Sequence, residues 1–368
     1  MNLIIINHLG LGGAEKIVSD IIKSHKNPNI IILCIFNTVQ SSNRICELEK
    51  HTQVKFIFKR KVQSNSFLIK LYKITTIIFA PIISLLIYLY CLKKQIKLVH
   101  INLNYSNYIG IYFNIIRKIF KKPIYVVETF HTNRHLLSGL WRFIMPLNWR
   151  MCDLLIYEIG KGEFNGNYHS TPVRFQPFAI CNLGSCSRYK TKSGNNTIIL
   201  SVVCRLKYQI KRFDLILGIL NNLQKSGIKL QFYIGGDGED RKLILDSITS
   251  ILKPSQLKYY GFVQDPKQIY CSTDFAFAVG VDGQIGVSGL QAIKFGNSLI
   301  YLDSEISHDP QSPELTQYCR EKAELIQKIS NSETFRRNYN REQWNSYKEY
   351  LNKEKFHQFY SSLYNKIT

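Results

Sequence analysis

The sequence predicts an α/β protein made of two Rossmann-like, doubly wound halves, and three observations carry that expectation. Short β-branched runs alternate with segments of helical periodicity along most of the chain. The runs are nearly continuous in apolar character, as in parallel strands covered on both faces. They also fall into two series, separated by the loose segment 171–196 with Pro172, Pro177, Gly184 and Gly194. Each series is long enough to close a sheet of its own, and 368 residues suit two domains.

In the first series the expected strands are 3–7, 30–36, 54–58, 98–101, 124–128 and 154–157. The first runs into LGLGGAEK, where Gly10, Gly12 and Gly13 precede a helix starting near Ala14. Glycine permits the tight turn, and the helix start offers unpaired N–H groups to an anionic or polar ligand such as a sugar nucleotide. The spacing differs from the dinucleotide pattern G-x-G-x-x-G. Residues 74–92, ITTIIFAPIISLLIYLYCL, form 19 uncharged positions flanked by Lys70, Lys73, Lys93, Lys94 and Lys97. That length spans a bilayer. A crossing there would divide the strands of one sheet between the two sides of the membrane. The expectation is therefore a helix bent near Pro81, partly buried and partly lying in a membrane interface.

Charge sharpens this. Lys and Arg number 48 against 26 Asp and Glu, a net +22 that implies anionic partners. Residues 51–150 hold 16 of those cations, one acid (Glu128) and the most apolar run of the chain. Basic and apolar together indicate an anionic membrane surface, not nucleic acid. Nine scattered cysteines without a C-x-x-C pair suggest reduced thiols in a cytoplasm, with neither a disulfide frame nor a zinc site. The N-terminal strand lacks the basic stretch and cleavage site of a signal peptide.

The second series comprises 197–203, 230–234, 257–260, 275–278 and 298–302. Its first strand ends in Cys204-Arg205-Leu206, and Lys211 is expected to begin the following helix. An Arg fork and a Lys point charge at a strand's carboxyl end suit a pyrophosphate. The glycines of the turn 235–238 read either as structural or as lining a nucleotide pocket, and Gly236 joins the candidate donor residues. The run 274–302 reads strand, glycine-rich loop 280–289, helix, Gly296 as helix stop, strand. Backbone N–H groups around Gly286 and Val287 would form a phosphate nest. Gln291, one turn into the helix, would reach a ribose or sugar hydroxyl. From about Glu314 onward the tail is helical, with aromatics at roughly helical spacing.

The succession LGLGGAEK, VVETFHTN, SVVCRLKYQIKRFD, YIGGDGED, YYGFVQD and GVSGLQAIKFGNSLI resembles a family 4 glycosyltransferase of the GT-B fold over about residues 1–303. The resemblance implies two Rossmann-like domains facing a cleft, with a C-terminal helix crossing back to the first. The implied acceptor domain covers 1–175 plus about 345–368, and the donor domain 190–344. By the same resemblance Gly12 and Gly13 lie by the donor, and Arg205 and Lys211 grip its diphosphate. His131 would sit by the transferred sugar. Gln291 stands where the family has a glutamate on the nucleotide ribose. The family's other glutamate falls on Gly283, with Asp282 beside it as the candidate acid. The implied activity is retaining transfer of a hexose from a nucleotide-diphosphate sugar to a lipid-linked oligosaccharide, in bacterial O-antigen or capsule synthesis. No metal or other cofactor is implied, and the expected location is peripheral, on the inner face of the inner membrane. A nucleotide-sugar 2-epimerase of the same fold and a non-catalytic binding relative are the alternatives.

Overall fold

A computed structural model describes residues 1–9, 13–24, 29–39, 42–63, 67–102, 104–130, 141–158, 167–176, 197–263, 265–281, 284–309 and 311–366. The chain divides into two compact units, Met1–Ala179 with Asn352–Thr368, and Ile180–Leu351.

The first unit runs β1 (Asn2–Ile6), α1 (Gly13–Ser24), β2 (Ile30–Thr38), α2 (Ser42–Leu48), β3 (Gln53–Val62), α3 (Phe67–Ile78) and α4 (Ala80–Lys93). It continues with β4 (Leu98–Asn102), α5 (Asn104–Phe120), β5 (Tyr125–Phe130), α6 (Trp141–Trp149), β6 (Leu154–Tyr157), β7 (Asn167–Tyr168) and β8 (Thr171–Phe175). The sheet order is β3-β2-β1-β4-β5-β6-β8-β7, parallel except for β7. Strands β1, β4 and β6 are buried at every position, which explains why they are mostly apolar. β8 corrects the expectation of loose chain from residue 171. Pro172 argued against a strand, but it pairs only with β7, and the ladder to β6 begins one residue later at Val173.

The 74–92 run is two helices meeting at 76°, with Phe79 at the break and Pro81 in the first turn of α4. A proline there lacks only an N–H that the helix start leaves unpaired anyway. Ala80, Ser84, Ile87, Tyr88 and Cys91 of α4 face inward. Phe67, Ile74, Ile78, Ile82, Leu86 and Leu89 face solvent.

The second unit runs β9 (Ile198–Val203), α7 (Phe213–Lys225), β10 (Leu230–Gly235), α8 (Arg241–Thr249), β11 (Leu257–Tyr259), α9 (Lys267–Tyr270) and β12 (Phe275–Val281). Then come β13 (Gln284–Ile285), α10 (Val287–Lys294), β14 (Ser298–Asp303), α11 (Pro313–Asn331) and α12 (Glu333–Tyr347). Its parallel strands are ordered β11-β10-β9-β12-β14, with β13 antiparallel on the end of β12. Gly296, at φ 84°, ends α10 in the left-handed region as expected. The exposed edge of β14 is covered by α12. Gln343 accepts from the Leu299 N–H at 2.9 Å and donates to the Leu299 carbonyl at 2.6 Å, standing in for a neighbouring strand.

After α12 the chain returns to the first unit as α13 (Lys353–Lys366). Phe356, Tyr360 and Tyr364 are fully buried against the first sheet. His100, fully buried on β4, contacts the Tyr364 hydroxyl through Nδ1 at 2.5 Å and Thr129 Oγ1 through Nε2 at 2.6 Å. Among the described cysteines six are free thiols. Cys271 is disulfide-bonded, against the expectation of thiols throughout.

Candidate functional site

The second unit's sheet reverses direction at β9. Successive strands first grow to one side of it, β10 then β11, and β12 returns to pair with its other edge. Such a switch point opens a crevice at the carboxyl ends of the two strands, where α/β proteins take ligands. A small pocket occurs there, lined by Val202, Val203 and Cys204 of the β9 end, Phe277, Ala278 and Val279 of β12, and Lys211, Gly286 and Ser288.

Helix α10 starts at this pocket. Gly286 is its N-cap and supplies no side-chain cap, so the Val287 and Ser288 N–H groups have no partner within the helix. A β-carbon added at Gly286 would meet nothing within 4 Å. Gly289, in contrast, brings α10 hard against β12, since a β-carbon there would lie 2.9 Å from that of Ala278. The expected glycine-rich loop 280–289 is largely regular structure: Gly280 pairs with Ile285 and Val281 with Gln284, and α10 begins at Val287. Backbone pairing uses groups the sequence had offered to a phosphate, and the helix start is what remains.

Lys211 precedes α7 instead of beginning it, in a turn whose Lys211 N–H donates to the Lys207 carbonyl at 2.9 Å. Its ammonium is half-buried and has no carboxylate partner among the described residues. It lies close enough to Cys204 to act on that thiol, which burial pushes up to about 11 against the opposing pull of the lysine charge. Arg205 differs. Its side chain is 63% exposed and pairs with Glu239 at 3.1 Å, which also takes Lys207 at 3.7 Å. Of the two predicted diphosphate cations, one lines the pocket unpaired and the other is engaged at the surface.

Gly236 serves the backbone. At φ 130° its missing side chain leaves room for the Cys204 carbonyl, with which any β-carbon would collide, and Gly238 does the same for Leu206. The Gly236 N–H donates to the Gly261 carbonyl at 2.7 Å, and the Leu206 N–H to that of Asp237 at 3.0 Å. These contacts hold the segment that carries Arg205 against the turn after β10. Gln291 is 7% exposed, and its amide makes no hydrogen bond to another described residue. An amide that bonds no described residue keeps its donors and its acceptor for a ligand hydroxyl.

Gly13 opens α1 in the first unit. Gly12, His131 and Asp282 lie outside the described residues, as do Gly10 and Gly283. Two groups escaped the sequence reading. His8, just beyond β1, has Nδ1 3.6 Å from the buried carboxylate of Glu15. Arg212, next to Lys211, is fully buried. The acid at Asp214, two residues on, was the one local sign of it.

No protein-family model matches this chain, and no curated protein matches it in sequence. Solved structures match along its whole length. HepE of Anabaena, in complex with UDP-glucose, aligns with a TM-score of 0.66 at 15% identity, covering 99% of each chain. The lipopolysaccharide outer core galactosyltransferase WaaB, in its apo form, aligns at 0.62 and 14%, covering 100% of each. Sucrose-phosphate synthase of Thermosynechococcus elongatus aligns at 0.70 and 12%, covering 100% of this chain and 99% of that one. These are GT-B glycosyltransferases, and the fold of the present chain is the two-domain, Rossmann-like GT-B fold.

Proposed function

We propose that this chain is a retaining glycosyltransferase. It takes a hexose from a nucleotide-diphosphate sugar bound in the second unit and passes it to a lipid-linked glycan, in the synthesis of a bacterial surface polysaccharide such as O-antigen or capsule. The observation that carries the reading is the unpaired Lys211 beside the uncapped start of α10 at the sheet's switch point. When the bond from the sugar's anomeric carbon to the diphosphate breaks, negative charge gathers on the phosphate oxygens. A lysine and the N–H groups of Val287 and Ser288 are placed to receive it. Preorganised donors of this kind lower the barrier because they need no rearrangement as the charge develops. Gln291 completes the donor pocket by bonding a ribose or sugar hydroxyl. Of the similar structures, HepE holds UDP-glucose, which makes UDP-sugars the first class to test.

The acceptor half of the proposal rests on the first unit's surface. α3 and α4 expose Phe67, Ile78, Ile82, Leu86 and Leu89, and α5 beside them exposes Ile115, Ile119 and Phe120. Exposed lysines border these residues at Lys70, Lys93, Lys94, Lys118, Lys121 and Lys122. No single helix among the described residues is long and apolar enough to cross a membrane. An apolar face with a basic rim instead suits insertion into the headgroup layer of an anionic leaflet, peripheral on the inner face of the inner membrane.

Calorimetric titration with UDP and with GDP tests the donor site. One of them binds the parent chain, and Lys211→Ala weakens that binding by about ten- to a hundredfold, the loss expected for a charge-assisted contact of about 1.5–3 kcal/mol. Equal binding by parent and variant, or binding of neither nucleotide, contradicts the reading.

A further inference from the structure

We propose that Arg212 is a positioning residue that sets both walls of the donor pocket, an inference that rests on the reading of that pocket as the nucleotide-diphosphate site. Its backbone is in the left-handed region, φ 44° and ψ 48°, uncommon for a residue with a side chain. The guanidinium is held from both sides. Nε donates to Asp214 Oδ1 and Oδ2 at 3.1 and 3.2 Å, and Nη2 to Asp214 Oδ2 at 2.8 Å. Nη1 donates to the carbonyls of Asp303, Ser304 and Ile306 at 3.3, 2.9 and 2.6 Å, and Nη2 to that of Ser307 at 3.0 Å. A fully buried cation thus gathers around itself the carbonyl that ends β14 and three carbonyls of the segment after it.

That segment is itself tied to the pocket. The Ser304 N–H donates to the Gly280 carbonyl at 2.9 Å, at the end of β12 where the hairpin to Gly286 begins. On its other side Arg212 follows Lys211 directly, and the left-handed residue turns the chain between that lysine and α7. One side chain therefore fixes the turn bearing the pocket's cation and the wall leading to the uncapped helix start. A lysine in its place would keep the charge but has three donors on one nitrogen. It has no planar fork to hold a carboxylate and four carbonyls together.

A double-mutant cycle on nucleotide binding tests this, with Arg212→Lys and Lys211→Ala made singly and together and affinity for UDP or GDP measured well below the melting temperature. Arg212→Lys is expected to weaken binding about tenfold in the parent and only about threefold when Lys211 is already alanine, because the share that acts through Lys211 is gone and only the hold on the wall leading to the helix start is left to lose. If Arg212→Lys does not fold by far-UV circular dichroism, Asp214→Asn, which keeps the arginine and weakens its fork, takes its place in the cycle. Unchanged affinity in Arg212→Lys or Asp214→Asn, or losses that add fully to that of Lys211→Ala, overturns the positioning role while leaving the donor pocket intact. Failure of the parent to bind either nucleotide overturns the donor pocket instead.

Discussion

Gly236 and Gly286 both follow apolar strands in glycine-rich stretches, yet they do opposite things. Gly236 makes room for another part of the backbone, whereas Gly286 borders open space. Gly286→Ala is expected to cost less than about 1 kcal/mol of stability, because its β-carbon meets open space and alanine is only a poorer cap. It should nevertheless weaken nucleotide binding by intruding on the pocket. Gly236→Ala should lower stability by more than about 3 kcal/mol, through both the strained φ and the clash with Cys204. Thermal melts with and without UDP or GDP separate the two, and equal behaviour of the variants would contradict the assignment. Sequence alone does not distinguish these glycines, since what matters is the presence or absence of an atom opposite each one. Lys211 was legible because it stands between a strand's carboxyl end and the next helix, where the crevice of a doubly wound sheet opens. The engagement of Arg205 by Glu239 and the clamp made by Arg212 were not, since their partners lie 34 and about 90 positions away.

Among the elements, strands and helices of the parallel sheets were readable from their unbroken apolar runs. The short antiparallel pieces were not. β13 has two residues and β7 another two, too few for any periodicity to register, and their pairing is decided by the strands they fold back on. The 74–92 run was legible in composition and in its bend near Pro81, which falls at Phe79. Which side chains face outward depended on what α4 packs against. Hydrophobic contact and charge are both expected to contribute to docking of this surface, at about 1 kcal/mol per basic residue near an anionic leaflet. Replacing Lys93, Lys94 and Lys97 with glutamate should therefore release the protein from vesicles containing anionic lipid, read by co-sedimentation. Unchanged pelleting of the triple variant would remove the electrostatic part of the membrane reading.

On the scale of the whole molecule, the chain ends in the unit where it began, because α13 completes the first unit's core. The sequence showed the aromatic spacing of that tail but not its buried polar partners. Tyr364→Phe strips the hydroxyl from His100 Nδ1 and leaves a buried ring nitrogen without that partner, so the first unit should lose about 1–3 kcal/mol of stability. Hydrogen exchange along β4 is the measurement, and protection equal to the parent's would show that this one hydrogen bond adds nothing to the docking of α13. The two units together define a scaffold, and chemistry is assigned through one pocket of the second. The most direct test of that assignment is sugar transfer from a panel of UDP- and GDP-sugars, with and without bacterial lipid extract. The account predicts incorporation of one sugar into the lipid fraction, lost in Lys211→Ala; no transfer from any donor in the panel, or transfer undiminished in that variant, would contradict it.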